Sequence, residues 1–355
     1  MKWPDLENYR FEKALGHGGF GTSYLATHQH SGQSCVIKKL AMERLQDWKS
    51  IELFQREAQT LKQLRHPRIP RYLDFIETQA GDQSQFYLVQ SYAEGQSLAS
   101  WVEQGKRFTE AEVVDLGCQI SEILVYLQAH HPPFIHRDIK PENLILNEGQ
   151  VYLIDFGSVS KFAAGERGST MVGSLGYMAP EQFHGQAYPA TDVYGLGATL
   201  IYLLTHRHPS ELSTGGFKLK FRHLLQCSRG LAEVLDKMVR AHHNERYTRA
   251  QDLSAEFERL KAGKLPEVLA SEIATTLTTR TPSLATAGDN RLKILILGGF
   301  LGFALLSAML FSVRRTADDM NAERNNVIRQ KIENAYEEAY RAEYGEPNRP
   351  VQLPE

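Results

Sequence analysis

A glycine-rich segment near the N-terminus constrains the fold of this chain most strongly. The segment LGHGGFGTSYLA, residues 15–26, contains Gly16, Gly18 and Gly21 in the spacing G-x-G-x-x-G. Glycines with this spacing leave room for a phosphate group to approach the backbone. They occur in two settings: they open a helix that follows a strand, or they lie in a β-hairpin. The residues after the glycines decide between the two.

Those residues favour the hairpin. Aromatic and β-branched residues, among them Phe20 and Tyr24, precede a Ser-Gly turn and the strand CVIKKL, which carries Lys38. A dinucleotide-binding fold would instead need a helix directly after the glycines and an acid at a strand end. The acid at the expected distance, Glu43, follows a Lys-Lys pair at the edge of a polar stretch. The sequence therefore argues against a dinucleotide-dependent oxidoreductase.

A helix is predicted after the strand that carries Lys38. The apolar residues of SIELFQREAQTLKQLRHP recur at helical spacing until Pro67. Glu57 lies among them. A glutamate in this position is either a solvated residue at the flank of the helix or an ion-pair partner of Lys38. The helix pattern alone leaves both interpretations open.

Three later segments complete a recognisable set of motifs. FIHRDIKPENLIL (134–146), VYLIDFGS (151–158) and GYMAPE (176–181) contain H-R-D-x-x-x-x-N, D-F-G and A-P-E. With the glycine-rich segment, Lys38 and Glu57, they occur in the order and at the separations of protein kinases. Residues 10–260 therefore resemble a eukaryotic-like serine/threonine protein kinase. The resemblance implies an α+β, two-lobed fold within residues 1–260: a β-rich N-lobe over about 9–92 and a larger α-helical C-lobe over about 93–260.

The resemblance also assigns catalytic roles. Asp138 would orient the substrate hydroxyl and accept its proton, and Lys140 would lie against the phosphate in transfer. Lys38, oriented by Glu57, would bind the phosphates that are not transferred. Lys140 in RDIKPEN and Ser174 in GSLGYMAPE both match the serine/threonine branch of the family. Protein serine and threonine hydroxyls are therefore the expected substrates.

ATP and Mg²⁺, with Mn²⁺ as an alternative metal, are the implied ligands. Asn143 and Asp155 would hold the metal, because both offer hard oxygen ligands. One departure from the family is Ser23, which stands where a valine usually covers adenine and would lose about 1 kcal/mol of apolar contact. The residues expected to contact ATP are Leu15, Gly16, His17, Gly18, Gly19, Phe20, Gly21, Ser23, Lys38, Ser91 and Ala93.

The activation segment SKFAAGERGSTMVGS offers Ser169 and Thr170 as candidate phosphorylation sites. Thr170 lies four residues before Ser174, the spacing at which the family usually carries its activating phosphate. A phosphate there would add nearly two negative charges and pair with Arg137. The alternative is that hydroxyl residues are simply common in loops. The family also implies two structural contacts: Asp192 to the backbone of the catalytic loop, and Arg246 to Glu181. Independently of the family, the sequence TEAE at Thr109–Glu112 is a capping box that predicts the start of a helix.

Two functions fit this scaffold. One is an active kinase, and the other is a pseudokinase that binds ATP without transferring phosphate. Pseudokinases typically lack at least one of Lys38, Asp138, Asn143 and Asp155, and this chain has all of them. The complete set favours an active enzyme.

Composition excludes other classes of partner and compartment. The net charge of −2 provides no general attraction for nucleic acid. Cys35, Cys118 and Cys227 lie far apart and match neither a zinc motif nor a disulfide framework. Their spacing is typical of a protein in a reducing cytosol.

Residues 292–313 are predicted to cross a membrane as one helix. The stretch ILILGGFLGFALLSAMLFSV, residues 294–313, has no charged side chain, and about 20 apolar residues match the thickness of the hydrocarbon core. Residues 261–291, rich in Thr, Ala and Ser, form a predicted linker. Residues 314–355 form a polar, partly helical tail. This order resembles that of the membrane-anchored serine/threonine kinases of bacteria, which act in signalling.

Two arguments on the orientation of this span oppose each other. Lys and Arg are more numerous on the tail side, which by the positive-inside tendency would make the tail cytoplasmic. However, the N-terminus MKWPDLENYR has no apolar signal region, and a kinase domain needs cytosolic ATP. We therefore expect a cytoplasmic kinase domain and an extracytoplasmic tail.

Patterns in the span and the tail leave alternatives open. Gly298 and Gly302 form a G-x-x-x-G pattern, which either pairs two copies as a homodimer or arises by chance in a glycine-containing span. Apolar residues between Ile328 and Tyr340 recur at helical spacing. That segment is either a solvated amphipathic helix or a partner-binding one.

Overall fold

An antiparallel sheet forms the N-terminal part of the structure. A computed structural model of the chain describes residues 6–18, 21–40, 48–80, 83–161, 173–214, 218–267 and 269. The strands are β1 (Tyr9–Gly18), β2 (Gly21–His28), β3 (Ser34–Leu40), β4 (Tyr72–Ala80) and β5 (Gln83–Ser91), in the spatial order β1-β2-β3-β5-β4. Helix α1 (Trp48–Gln63) lies between β3 and β4 in the chain. The predicted β-rich lobe is confirmed.

The two faces of the sheet pack against different neighbours. Successive residues of a strand point to opposite faces, so the side chains of Tyr87 and Leu88 of β5 lie on opposite faces of the sheet. Leu88 joins Phe54 of α1 in the large core that continues into the rest of the domain. Tyr87 joins Ile37 and the N-terminal Leu6 in a smaller cluster on the other face. The face with α1 is therefore the one that joins the two lobes.

The rest of the domain is mostly helical, as predicted. Its helices are α2 (Leu98–Glu103), α3 (Glu110–Gln128), α4 (Pro189–Thr205), α5 (Pro209–Leu212), α6 (Arg229–Met238) and α7 (Ala250–Lys261). Short strands lie between them: β6 (Gln96–Ser97), β7 (Phe134–Ile135), β8 (Leu144–Asn147), β9 (Gln150–Leu153), β10 (Ser160–Lys161), β11 (Ser213–Thr214) and β12 (Lys218–Leu219). Short 3-10 helices cover Pro141–Asn143, Pro180–His184, Arg222–Leu224 and His243–Glu245.

Helix α4 forms the interior of this lobe. Every residue from Ala190 to Ile201 is buried, which is typical of a helix that is apolar on all sides. The backbone of the segment after β7 packs directly on it. A Cβ atom added to Gly195 would lie 2.9 Å from the carbonyl oxygen of Ile139. Only a glycine allows this approach. The backbone of the H-R-D segment is thereby packed directly against the buried helix α4.

Helices α3 and α7 pack together over a second close approach. Helix α3 begins with the predicted capping box, since Thr109 and Glu112 bond each other's backbone N–H groups. Further along α3, a Cβ atom on Gly117 would lie 2.4 Å from the ring of Phe257 on α7. The contact between the two helices therefore depends on the absence of a side chain at this position.

Packing continues past the predicted start of the linker at residue 261. A Cβ atom on Gly230 would lie 3.2 Å from Cδ of Pro266, and Leu269 is buried. The N–H of Glu267 donates to Glu256 Oε2 at 2.8 Å. The compact unit that contains the lobes extends from Met1 to Glu272. The described contacts thus continue beyond residue 261, and composition alone does not register them.

The predicted membrane span, residues 292–313, lies outside the described residues, as do the tail and most of the linker. Within the part of the chain that is described, no helix combines the length and apolar character needed to cross a membrane.

Candidate active site

Lys38 connects the sheet, helix α1 and the D-F-G segment. It lies on β3 opposite Ser23 of β2 and Leu88 of β5. Its ammonium nitrogen donates to Glu57 Oε1 at 2.5 Å and to Asp155 Oδ1 at 2.8 Å. Glu57 is only 2% exposed, so the ion-pair interpretation holds and the solvated-flank interpretation is wrong. The contact between Lys38 and Asp155 was not predicted.

The three charged groups shift one another's pKa values. Burial lowers the pKa of Lys38, but the negative charges of Asp155 and Glu57 outweigh it and raise the pKa above its usual value. Burial raises the pKa of Asp155, but the charge of Lys38 lowers it by more. The resulting pKa of Asp155 is about 2, below its usual value. Burial also raises the pKa of Glu57, and Lys38 acts in the opposite direction. At neutral pH this part of the site holds a protonated Lys38 and an ionised Asp155.

Asp138 lies in the loop between β7 and β8, with its two carboxylate oxygens in different surroundings. Asn143 Nδ2 donates to Oδ2 at 3.0 Å, and Lys140 Nζ lies 3.3 Å from the same oxygen. Among the described residues, the buried Oδ1 has no hydrogen-bond partner. A buried oxygen without a partner costs free energy until a donor arrives. Oδ1 is therefore an acceptor that remains open to a further hydrogen-bond donor.

Ser174 extends this group of residues to the segment before A-P-E. Lys140 Nζ donates to the Ser174 hydroxyl, so one lysine contacts both Asp138 and Ser174. Burial lowers the pKa of Lys140, but the nearby Asp138 and Glu142 raise it above the usual value. The lysine therefore stays charged at neutral pH.

The backbone before Asp138 is held in an unusual conformation. The carboxylate of Asp192 on α4 accepts hydrogen bonds from the N–H groups of His136 and Arg137, each at 2.8 Å. The predicted contact from Asp192 to the catalytic loop is confirmed. Arg137 has a φ of 70° and Asp155 a φ of 64°, a region that non-glycine residues rarely adopt. Such residues cluster at functional sites, where surrounding contacts maintain the strain.

The donor set at Asn143 and Asp155 fits a hard divalent cation. Asn143 uses its amide nitrogen to donate to the main-chain and side-chain oxygens of Asp138, at 2.9 and 3.0 Å. Its side-chain oxygen is therefore the atom left for a metal. The N–H of Ile154 donates to the carbonyl of Asn143 at 2.9 Å, which ties Asn143 to the residue before Asp155. Mg²⁺ prefers oxygen ligands, and these two residues offer them from segments that a hydrogen bond links.

The glycine-rich segment forms the predicted hairpin. Gly18 at the end of β1 pairs with Gly21 at the start of β2, and Gly21 has a φ of 144° that favours glycine. Among the described residues, no atom would lie within 4 Å of a Cβ atom added to Gly16. Gly19 and Phe20 lie outside the described residues, and so does the side chain of His17. Leu15, on β1, is exposed.

A comparison with protein families agrees with this geometry. A family model for the "Protein kinase domain" matches residues 9–258. The chain belongs to the protein kinase family. The match spans the sheet, the helical lobe and every motif residue discussed above.

Individual relatives place the chain near bacterial serine/threonine kinases. It is 38% identical over 267 residues to "Serine/threonine-protein kinase F" of Synechocystis sp., covering 68% of this chain and 53% of the relative. It is 36% identical over 268 residues to "Serine/threonine-protein kinase PknA" of Nostoc sp., covering 70% and 46%. It is 30% identical over 249 residues to "Aurora kinase A-A" of Xenopus laevis, covering 68% and 60%. The chain thus spans about half the length of the bacterial relatives.

The segment that joins the lobes of this kinase is held by the end of β5. The N–H of Ser91 donates to the carbonyl of Arg71 at 2.9 Å, and the Ser91 hydroxyl accepts from the N–H of Arg71 at 2.8 Å. The Ser91 N–H is therefore not available to a nucleotide base. The backbone from Ser91 to Ala93 is predicted to face adenine. At Ser91, only the carbonyl group is left for that contact.

The A-P-E motif is held by an ion pair with a distant arginine. Both carboxylate oxygens of Glu181 accept from Arg246, each at 2.8 Å, which confirms the predicted pair. The next residue, Gln182, is 1% exposed and donates to the carbonyl of Arg137. Sequence analysis missed this glutamine, because no motif signal marks it. The candidate phosphorylation sites Ser169 and Thr170 lie outside the described residues.

Proposed function

We propose that this chain transfers the γ-phosphate of ATP to serine and threonine hydroxyls of proteins. The observation that carries the proposal is the Asp138 carboxylate. Asn143 and Lys140 hold one of its oxygens, while the other is buried without a hydrogen-bond partner. This arrangement suits a group that orients a hydroxyl and accepts its proton. The relatives named as serine/threonine protein kinases support the same activity.

In the proposed reaction the substrate hydroxyl oxygen bonds to the γ-phosphorus as the bond from that phosphorus to its bridging oxygen breaks. ADP leaves, and the hydroxyl proton passes to Asp138 Oδ1. Lys140 stays protonated beside Asp138 and balances the negative charge of the group in transfer. Lys38 binds the phosphates that remain on ADP and is held for this by Glu57. The protein thus contributes orientation and charge rather than a covalent intermediate.

Asn143 and Asp155 would hold Mg²⁺, with Mn²⁺ as an alternative. When bound, the ion would neutralise the negative charge of the phosphates. The Lys38 contact to one oxygen of Asp155 keeps this carboxylate ionised and oriented before a metal arrives.

The bond between Lys140 and Ser174 supports a preference for serine and threonine. It ties the residue beside Asp138 to the segment that precedes A-P-E. The test uses the full chain with Mg-ATP labelled at the γ-position and a generic basic protein. After acid hydrolysis, label on phosphoserine or phosphothreonine is the expected result. Label on phosphotyrosine alone, or ATP binding with no transfer, would refute the proposal.

Membrane anchoring forms part of the proposed function. The charge-free residues 294–313 follow a kinase domain that is complete without them, which supports a single-pass anchor with the kinase in the cytoplasm. Fractionation and protease protection of cells with a C-terminal tag test the topology. A tag that is digested from the outside, in a membrane-bound protein, is expected. Recovery in the soluble fraction would contradict the anchor.

Phosphorylation of Thr170 is the proposed mode of activation. Burial lowers the pKa of Arg137, Asp192 raises it, and the positive charge of Arg56 on α1 lowers it again. Two arginines near enough to affect each other would attract a phosphate dianion. Mass spectrometry of the active enzyme should find phosphate on Thr170, and Thr170→Ala should reduce activity. Unmodified protein with full activity would contradict this mode of activation.

A further inference from the structure

Gln182 occupies a buried position between the A-P-E motif and the catalytic loop. It lies in the 3-10 helix Pro180–His184 and is 1% exposed. A buried amide of this kind must satisfy both its donor and its acceptor, because an unpaired group costs free energy in the interior.

Both ends of the Gln182 amide bond to the main chain. Its oxygen accepts from the N–H of Ala179 at 2.9 Å. Its nitrogen donates to the carbonyl of Arg137 at 2.8 Å. The first bond fixes the side chain on the A-P-E segment, and the second bonds this fixed side chain to the catalytic loop. The carbonyl of Arg137 belongs to the peptide bond that leads directly into Asp138.

Arg137 is the residue in this loop that most needs outside support. Its φ of 70° lies in the left-handed region, which non-glycine residues adopt only when the surroundings impose it. Asp192 accepts from its N–H at 2.8 Å, and Gln182 donates to its carbonyl. The two peptide groups that flank the strained residue are therefore each held by a side chain from another element.

Space for the Gln182 bond is provided by the residue before Ser174. A Cβ atom on Gly173 would lie 2.9 Å from Gln182 Nε2 and 3.1 Å from the carbonyl oxygen of Arg137. The absence of a side chain at Gly173 thus allows the amide and the carbonyl to meet. Gly173, Gln182 and Arg137 form one packed unit beside the Lys140–Ser174 contact.

We propose that Gln182 is a positioning residue for Asp138. This inference rests on the proposed kinase function. Through the Arg137–Asp138 peptide, Gln182 sets the direction in which the Asp138 carboxylate meets the substrate hydroxyl. It also makes the orientation of Asp138 depend on the position of the A-P-E segment.

The first test replaces the amide by an apolar side chain of similar length in the full chain. Gln182→Met removes both hydrogen bonds. We expect kcat to fall about tenfold or more, because the Asp138 carboxylate is no longer held in its productive direction, while KM for ATP stays within about twofold of wild type.

Gln128→Met is the matched control. Gln128 on α3 also bonds two main-chain groups, accepting from the N–H of Ala250 at 2.8 Å and donating to the carbonyl of Pro189 at 3.3 Å. It has no contact with the catalytic loop among these bonds. We expect Gln128→Met to lower the melting temperature and leave kcat unchanged. An equal kcat in Gln182→Met and Gln128→Met would overturn the proposal.

A second variant keeps the proposal testable if Gln182→Met fails to fold. Gln182→Glu retains an acceptor for Ala179 but places an oxygen opposite the Arg137 carbonyl when ionised. Its protonated form restores the donor, so kcat relative to wild type should rise as pH falls. A ratio that does not change with pH would contradict the positioning role. Lack of transfer by the wild-type chain would instead refute the proposed function itself.

Discussion

At the residue scale, the site depends on a lysine that is shared between two carboxylates. Lys38 joins Glu57 on helix α1 to Asp155 in the D-F-G motif. Because Glu57 is buried, removing one member leaves an uncompensated charge in the interior, which is strongly destabilising. Substitutions that keep the shape of a side chain and remove only its charge are therefore the informative ones here.

Glu57→Gln tests the ion pair with little change in volume. The amide still accepts a hydrogen bond but no longer attracts the ammonium group of Lys38, so we expect kcat/KM for ATP to fall by about 10- to 100-fold. Steady-state kinetics at varied ATP measure the effect. Glu122→Gln, the same change in an exposed ion pair with Arg68, should leave the kinetics unchanged. Equal behaviour of the two variants would contradict the role of Glu57.

The pKa shifts at Lys38 and Asp155 predict a flat response around neutral pH. Asp155 has a pKa of about 2, below its ordinary value of 3.8, so its contribution to stability is fully present above the ordinary value. It is lost progressively as pH falls from that value through about 2. Lys38, with a raised pKa, stays protonated throughout the neutral range. The affinity for Mg-ATP, measured by calorimetry, should therefore be constant between about pH 7.5 and pH 9, above the ordinary titration range of histidine, once nucleotide protonation is subtracted. A step within that range would contradict these shifts.

At the element scale, periodicity and end signals predict helices α1 and α3. The capping box at Thr109–Glu112 places the start of α3 correctly, because its chemistry is local. The stripe of apolar residues likewise predicts α1. What the pattern does not predict is which helices touch. The contact between Gly117 and Phe257 joins positions far apart in the chain, and a glycine inside a helix gives no indication of its neighbour.

Gly117→Ala should destabilise the domain although alanine is the better helix former. At an open helical site the change would stabilise by roughly 0.5–1 kcal/mol. Here the added methyl group would lie 2.4 Å from the ring of Phe257, and overpacking of this kind costs about 1–3 kcal/mol. Thermal unfolding measures the sign. Phe257→Leu combined with Gly117→Ala should be less destabilised than the sum of the single changes. A Gly117→Ala variant more stable than wild type would contradict the packing described for α3 and α7.

At the scale of the whole molecule, the site is assembled from segments distant in sequence. Lys38 comes from the sheet and Glu57 from α1. In the helical lobe, Asp138 and Asp155 come from loops and Asn143 from the 3-10 helix Pro141–Asn143. Motif order predicts this assembly because each motif has a recognised place in the family. The Lys38–Asp155 bond and the Gln182 contact to Arg137 could not be predicted, since each depends on how two segments meet in three dimensions.

The proposed phosphotransferase activity depends most directly on Asp138. Asp138→Asn keeps the shape of the side chain and removes the carboxylate that accepts the proton. Asp252→Asn is the control: it makes the same change in a half-buried acid of α7 that pairs with Arg249, the residue before the helix.

The decisive measurement is single-turnover transfer from γ-labelled ATP, compared with ATP binding, for wild type and both variants. We predict near-total loss of transfer by Asp138→Asn with ATP affinity retained, and full transfer by Asp252→Asn. Equal transfer by Asp138→Asn and wild type would contradict the proposed role of Asp138, and a wild-type chain that binds ATP and transfers nothing would contradict the proposed activity.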